Sequence, residues 1–171
     1  MEKKHKAFVF GNESRTLVGP ELKIGDKAPD FTLVMNNFEE VSFNSTAGKI
    51  RILSVVPSID TRVCDAQTRR FNQEAAALGN DVIIWTISAD LPFAQRRWCA
   101  AAGIERVEVL SDHRDLDFGP KYGVLIEDLR FLSRAVFVVD KDDIIQYAQY
   151  VPEVGNQPDY ETVVSVVKSL L

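Results

Sequence analysis

Three apolar runs follow one another through the middle of the chain, at Ile50–Ser58, Asp81–Ser88 and Val107–Asp112. Runs with hydrophobic residues at consecutive positions are typical of parallel strands that are covered on both faces. The two segments between them carry apolar residues at helical spacing, which predicts helices over Arg62–Leu78 and from about Asp90 to Gly103. Strands joined by helices indicate parallel pairing with right-handed crossovers, and therefore an α/β fold.

Hairpins are predicted on both sides of this central region. Short strand-like runs at Ala7–Phe10 and Arg15–Val18 surround turn residues, which predicts an N-terminal β-hairpin. Arg134–Asp140 and Ile144–Val151 flank a polar turn and predict a second hairpin. The stretch between the third strand and this hairpin is expected to be rich in loops.

The cap of the second helix and one further helical pattern complete the prediction. Asp90 is expected to cap the helix that follows it, with Pro92 in the first turn. The chain then closes on a segment with a regular apolar face, which predicts a C-terminal helix. In the helix after Asp90, the residues expected to face inward are Leu91, Ala94, Trp98 and Ala101. In the C-terminal helix they are Tyr160, Val163, Val164, Val167 and Leu170.

Length and composition narrow the class of protein. The 171 residues predict a single domain over 1–171, with residues 1–24 as a hairpin extension. A net charge of −5 argues against nucleic acid, because binding phosphates requires a basic face. No apolar run reaches the roughly 20 residues of a membrane span, and the start lacks a signal-peptide core. We therefore expect a cytoplasmic protein with neither nucleic acid nor membrane as a partner.

The most informative segment is the one from Pro57 to Cys64. Pro57 ends a buried strand and Thr61 can cap the next helix, which puts Cys64 in its first turn. The unpaired N–H groups and the dipole at a helix start favour an anion, so cysteines there have a lowered pKa and react as thiolates. The alternative is a buried, inert thiol, since free cysteine is among the most buried residue types.

A second cysteine, Cys99, lies in the next predicted helix. On its own it is most simply explained as a helix-packing residue, although with Cys64 it forms a possible dithiol pair on neighbouring helices. The two cysteines do not form a C-x-x-C motif, because Gln67 occupies the place of its second cysteine. Two cysteines and two histidines, far apart in sequence, also show no zinc-site spacing.

The segment PSIDTRVC (Pro57–Cys64) resembles the P-x-x-x-[TS]-x-x-C signature of the peroxiredoxins. With GDKAPDFTL, ISADLPFAQRRWC and SDHRDLDFGPKYGVLI, the chain resembles the thiol peroxidase branch, the atypical two-cysteine peroxiredoxins, over nearly its whole length. The resemblance implies a thioredoxin-like fold with a central mixed sheet, flanking helices and the N-terminal β-hairpin. One departure is Arg62, where relatives most often have proline; we expect altered local rigidity and charge there, with the chemistry retained.

The resemblance also implies a role for each site residue. It makes Cys64 the peroxidatic cysteine, Thr61 its hydroxyl partner, Pro57 the proline that shields the thiolate, and Arg134 the active-site arginine. Cys99 would be the resolving cysteine of the same chain, giving an intramolecular Cys64–Cys99 disulfide. Since both cysteines are predicted inside helices, we expect one or both helices to unravel locally when that disulfide forms.

The implied activity is a peroxidase without metal, haem or other cofactor. Its substrates would be hydrogen peroxide and organic hydroperoxides, thioredoxin would be the reductant, and the chain would form a homodimer. Two other classes of function stay open at this stage. One is a peroxide-responsive redox sensor or binding module on the same fold, which would be oxidised once without turning over. The other is an inert scaffold with two buried thiols.

Overall fold

A seven-stranded mixed sheet forms the centre of the computed structural model, which describes residues 1–171. A smaller sheet of three strands packs beside it. The strands are β1 (Lys3–Phe10), β2 (Glu13–Val18), β3 (Thr32–Val34), β4 (Glu40–Ser42), β5 (Ile50–Val55), β6 (Val82–Ser88), β7 (Glu108–Ser111), β8 (Leu125–Ile126), β9 (Ala135–Val139) and β10 (Ile145–Tyr150). The helices are α1 (Arg62–Leu78), α2 (Pro92–Ala102), α3 (Phe118–Lys121) and α4 (Tyr160–Leu170).

The strand order confirms the predicted mixed α/β architecture. The large sheet runs β10-β9-β5-β6-β7-β3-β4, with parallel pairing only within β5-β6-β7. Because β5, β6 and β7 are consecutive neighbours, right-handed connections place α1 and α2 side by side on one face of the sheet. The N-terminal hairpin is also confirmed, and β8 extends it antiparallel to β2. None of the helices is both long and apolar enough to cross a lipid bilayer.

Helix α1 spans the predicted residues because the sequence specifies both of its ends. Thr61 is the N-cap, and its side-chain oxygen accepts a hydrogen bond from the Cys64 backbone N–H. Gly79 ends the helix at a φ of 81°, a conformation that favours glycine. Between these ends, Phe71, Ala75 and Leu78 are buried in an apolar cluster shared with the large sheet and α4. The helix is thereby anchored along its length by core packing.

The opposite face of the large sheet carries the larger apolar cluster. Alternate residues of β5 separate the two clusters, since Ile50 and Ile52 face the helices whereas Leu53 and Val55 face the other way. The second cluster is dominated by packed aromatic rings from six elements or loops, namely Phe31, Phe43, Trp85, Phe118, Tyr122 and Phe137. This rigid layer supports the carboxyl end of β5, after which the first cysteine follows.

Helix α2 differs from the prediction in both its cap and its inward face. Its N-cap is Leu91, without a side-chain cap hydrogen bond, while the Asp90 carboxylate is used elsewhere. Leu91 is 53% exposed, and the buried residues of the helix are Pro92 and Gln95. Gln95 Nε2 donates to Ser88 Oγ and to the Leu110 carbonyl, each at 2.9 Å, and these buried hydrogen bonds determine which face turns inward.

The stretch predicted as loop-rich contains α3 and β8. The Asp112 carboxylate at the end of β7 accepts hydrogen bonds from the backbone N–H groups of Phe118 at 3.0 Å and Gly119 at 2.8 Å. These bonds hold the first turn of α3 against the large sheet. Burial raises the pKa of Asp112 to about 6, although the two hydrogen bonds act in the opposite direction. Helix α3 has only four residues and is held by the Asp112 carboxylate, so it leaves no periodic pattern in the sequence.

Candidate active site

The loop between β5 and α1 places Cys64 at the carboxyl end of a central strand. Pro57 is buried shortly after β5, and Thr61 then begins the helix in which Cys64 is the third residue. The Thr61 hydroxyl donates to the Ser58 carbonyl at 3.2 Å and accepts from the Cys64 N–H at 3.4 Å. Thr61 therefore fixes the backbone on which Cys64 is carried. Arg62 is an exposed first residue of the helix.

Arg134 directly precedes β9, the strand that pairs with β5, and this position brings its side chain to Cys64. Its side chain is fully buried, and its Nη2 donates to Cys64 Sγ at 3.4 Å and to the Val154 carbonyl at 2.8 Å. No carboxylate forms a salt bridge with this guanidinium, and its Nε has no partner. Because a buried charge is costly unless it is paired, the sulfur is the group beside Arg134 that can supply the opposite charge.

Gln67 is the residue of this site that the sequence prediction missed. It is fully buried one helical turn after Cys64, and its Oε1 accepts from Arg134 Nη1 at 2.9 Å. Its Nε2 donates to Ser54 Oγ at 2.8 Å, so the amide links α1, β5 and the arginine. The signal in the sequence was a polar residue between Cys64 and Phe71, on the helix face that carries the apolar stripe.

A cleft of about 460 Å³ opens at the loop that precedes Cys64. Pro57 and Thr61 form part of its wall, and Cys64 lies behind them with no exposed surface. Two aromatic rings, Phe10 and Phe131, meet edge to face with centroids 5.3 Å apart. The remaining lining residues are Ser58, Ala89, Asp90 and Arg130. The cleft thus combines two aromatic rings with a majority of polar lining residues.

Asp90 ties the active-site loop to the end of β6. Its carboxylate accepts hydrogen bonds from Ser58 Oγ at 2.8 Å, from the Ile59 N–H at 2.8 Å and from Ser88 Oγ at 2.6 Å. These bonds use the carboxylate that the sequence assigned to capping α2. The consequence is that the loop preceding Cys64 is held to the residues that lead into the helix of Cys99.

Cys99 is not beside Cys64 in this structure. Both cysteines are free thiols, and Cys99 is half-buried on α2. Its surroundings are a separate cleft of about 300 Å³ formed with Met35, Asn36, Asn37, Ile104 and Val107–Leu110. Burial raises the pKa of the Cys99 thiol, and the neighbouring Asn36 side chain acts in the opposite direction. The structure therefore brings Cys64, Thr61, Pro57 and Arg134 together and leaves Cys99 apart.

Comparisons with known proteins agree with this geometry. The Redoxin family model matches residues 23–164. A thiol peroxidase of Oceanobacillus iheyensis is 62% identical over 91% of this chain and 94% of its own, and one of Bacillus subtilis is 59% identical over 91% and 93%. A crystal structure of a peroxiredoxin-like protein from Aquifex aeolicus superposes with a TM-score of 0.90 at 40% identity, covering 97% of this chain and 98% of that one.

The chain belongs to the Redoxin family, and the thioredoxin-like fold expected from the sequence is confirmed. Its curated relatives at high identity are thiol peroxidases over more than nine-tenths of both chains. They identify this chain as a member of the thiol peroxidase group and its activity as that of a peroxidase, an oxidoreductase.

Proposed function

We propose that the chain reduces hydrogen peroxide and organic hydroperoxides through a sulfenic acid on Cys64. The observation that carries the proposal is Arg134, a fully buried cation without a carboxylate partner, whose Nη2 lies 3.4 Å from Cys64 Sγ. A guanidinium held there stabilises the thiolate, which is the nucleophilic form of cysteine. It is also in place to stabilise negative charge that develops on the peroxide oxygen.

The first step is a nucleophilic displacement at oxygen. The Cys64 thiolate attacks one peroxide oxygen, the S–O bond forms as the O–O bond breaks, and the leaving hydroxide or alkoxide takes up a proton. The product on Cys64 is a sulfenic acid. The cleft beside Pro57 and Thr61, with the rings of Phe10 and Phe131, is larger than hydrogen peroxide requires, which supports organic hydroperoxides as additional substrates.

Cys99 is proposed to resolve the sulfenic acid. A disulfide requires Cα atoms within about 7 Å, and the two thiols occupy different surroundings, so local opening of a helix has to precede the bond. The resemblance of the chain to atypical two-cysteine enzymes supports this pairing. The resulting Cys64–Cys99 disulfide would then be reduced by a dithiol through thiol–disulfide exchange.

The reductant is proposed to be thioredoxin, and the setting the cytoplasm, where reduced thioredoxin is available. A homodimer is proposed as the working form. Two apolar side chains at the start of α2 support it, since Leu91 is 53% and Phe93 65% exposed. Light scattering of the purified chain tests the assembly; a monomer at all concentrations used would contradict this part of the proposal.

Turnover of peroxide with thioredoxin and its reductase tests the activity. We expect the wild-type chain to consume many equivalents of peroxide, and Cys64→Ser to consume none. A chain that is oxidised once and then stops, in the presence of the reductant, would favour the sensor function instead. Peroxide consumption by Cys64→Ser at the wild-type rate would show that Cys64 is not the reactive thiol.

The role of Cys99 is tested separately by mass spectrometry of the peroxide-treated protein. We expect a Cys64–Cys99 linkage in the wild type that thioredoxin removes. Cys99→Ser should still form the Cys64 sulfenic acid and should lack the internal disulfide. If Cys99→Ser turns over with thioredoxin as fast as the wild type, intramolecular resolution is wrong.

A further inference from the structure

A side-chain hydrogen bond joins the immediate neighbours of the two cysteines. Trp98 precedes Cys99, Asp65 follows Cys64, and Trp98 Nε1 donates to Asp65 Oδ1 at 2.8 Å. The bond runs from α2 to the first turn of α1. The segment that must move if Cys99 is to reach Cys64 is therefore fastened to the segment that carries Cys64.

Arg69 completes this link, and we refer to Asp65, Arg69 and Trp98 together as the clasp. Arg69 Nε donates to Asp65 Oδ2 at 2.9 Å, and its guanidinium carbon lies 5.5 Å from the centre of the Trp98 ring. Its Nη1 also donates to the Ala102 carbonyl at 3.5 Å, in the last turn of α2. One arginine of α1 thus contacts the tryptophan and the carboxyl end of the helix that contains Cys99.

The clasp is the hydrogen-bonded link from the second half of α2 to α1, while Cys99 lies half-buried beside β7. None of the residues in the apolar clusters comes from this helix. Its first half is fixed by the buried Gln95, whereas the second half, which contains Cys99, contacts α1 through Trp98 and Arg69. A helix with few buried apolar contacts opens locally at a low free-energy cost, so the remaining contacts determine how often it opens.

We propose that Trp98 is a positioning residue that sets the rate of the second step, formation of the Cys64–Cys99 disulfide. The inference rests on the proposed function of Cys99. In this step the Cys99 sulfur attacks the sulfenic sulfur of Cys64, the S–S bond forms, and the S–O bond breaks. The departing hydroxide takes the proton released by Cys99, so the products are a disulfide and water. The clasp must open first, because Cys99 cannot approach while α2 is held in place.

The clasp also decides between two fates of the sulfenic acid. While Cys99 is held away, a second peroxide can oxidise the Cys64 sulfenic acid to a sulfinic acid, which the thioredoxin cycle does not reduce. A tighter clasp prolongs the exposure of the sulfenic acid to peroxide, and a looser clasp shortens it. The ratio of sulfinic acid to disulfide at high peroxide is therefore a readout that a purely structural role of Trp98 would not move.

The test is Trp98→Phe, which keeps an aromatic ring and removes the N–H donor. We expect disulfide formation to accelerate about fivefold. The variant loses a partly exposed hydrogen bond to a charged group, so the clasp opens more often. The rate of the first reaction of Cys64 with peroxide should stay unchanged, and the sulfinic fraction at high peroxide should fall. Arg70→Gln is the matched control, since it removes the neighbouring Arg70–Glu74 pair of α1, at 2.9 Å, and leaves the clasp intact.

Rapid mixing with peroxide, followed by acid quenching and mass spectrometry, measures both products. Disulfide formation in Trp98→Phe that is as slow as in the wild type, or slower, would overturn the role of Trp98 while leaving Cys99 as the resolving cysteine. If the wild type forms no Cys64–Cys99 disulfide at all, the proposed function of Cys99 fails instead. Should Trp98→Phe not fold, Asp65→Ala breaks the same hydrogen bond from α1 and is expected to accelerate the same step.

Discussion

The two helices that carry the cysteines are attached to the protein in different ways. Helix α1 has a side-chain cap at Thr61 and buries Phe71, Ala75 and Leu78 in the core. Helix α2 has no side-chain cap, buries Pro92 and Gln95, and contributes nothing to the apolar clusters. The chain therefore holds Cys64 on a helix anchored in the core and Cys99 on a helix with few buried apolar contacts, which is the kind of element expected to open first.

This difference follows from what each thiol has to do in the proposed cycle. Cys64 reacts with a small diffusing molecule, so a fixed geometry with Arg134 and the start of α1 favours it. Cys99 must instead travel to Cys64, so rigid packing of its helix would oppose the reaction. The hydrogen bonds of Gln95 and Trp98 keep α2 folded between turnovers without a hydrophobic anchor.

The largest expected difference between the two helices is in the stability lost when one phenylalanine on each is replaced by alanine. Phe71→Ala on α1 should destabilise the protein by about 3 to 5 kcal/mol, because it removes a fully buried ring. Phe93→Ala on α2 should cost less than about 1 kcal/mol, because this ring is 65% exposed. Chemical denaturation measures both values. Equal losses of stability for the two variants would show that α1 and α2 are anchored equally well.

Removing the cation beside Cys64 should have the next largest effect. Arg134→Met is expected to slow the reaction of Cys64 with peroxide by about 10²- to 10³-fold, because it removes the preorganised positive charge. Alkylation of Cys99 in the same variant should be unaffected, since Arg134 contacts only Cys64 of the two thiols. Stopped-flow measurement of the first oxidation provides the rate. A wild-type rate in Arg134→Met would show that the arginine has no part in the chemistry.

Hydrogen exchange measures the difference in local stability between α1 and α2 without any substitution. Amides of the second half of α2, from Trp98 to Ala102, should open with a free energy at least about 2 kcal/mol below that of amides near Phe71 in α1. The physical reason is that no residue of α2 belongs to the apolar clusters of the core. Mass spectrometry of peptides from the two helices gives both values in one experiment. Similar protection of the two helices would refute the idea that α2 is the element that opens.

The sequence was sufficient to predict elements whose determinants are local. The ends of α1 were predicted because Thr61 and Gly79 are recognisable cap residues, and the covered strands were predicted from their uninterrupted apolar runs. The inward face of α2 was predicted wrongly, because a buried Gln95 replaces the expected apolar stripe. Propensity and periodicity do not register hydrogen bonds to partners such as the Leu110 carbonyl, so the apolar pattern was misleading there.

In the candidate active site, too, residues placed by the local sequence were predictable, whereas residues placed by contacts between distant elements were not. The first-turn position of Cys64 was predictable from the chain alone, whereas Arg134 was selected only through the family resemblance. An arginine at the end of a strand is usually exposed, and its burial here depends on contacts with Gln67 and Val154 that the fold creates. Gln67 and the clasp were missed for the same reason, because their roles come from partners on other elements.

The proposed function requires Cys64, with Arg134 Nη2 at 3.4 Å from its sulfur, to be the thiol that reacts with peroxide. Stopped-flow measurement of the first oxidation in Cys99→Ser and in Cys64→Ser, at equal peroxide concentration, tests this most directly. We predict that Cys99→Ser, which keeps Cys64, is oxidised at the wild-type rate. Cys64→Ser, which keeps only the half-buried Cys99, should show no oxidation over the same time. Equal rates in the two variants, or faster oxidation of Cys64→Ser, would show that Cys64 is not the reactive thiol.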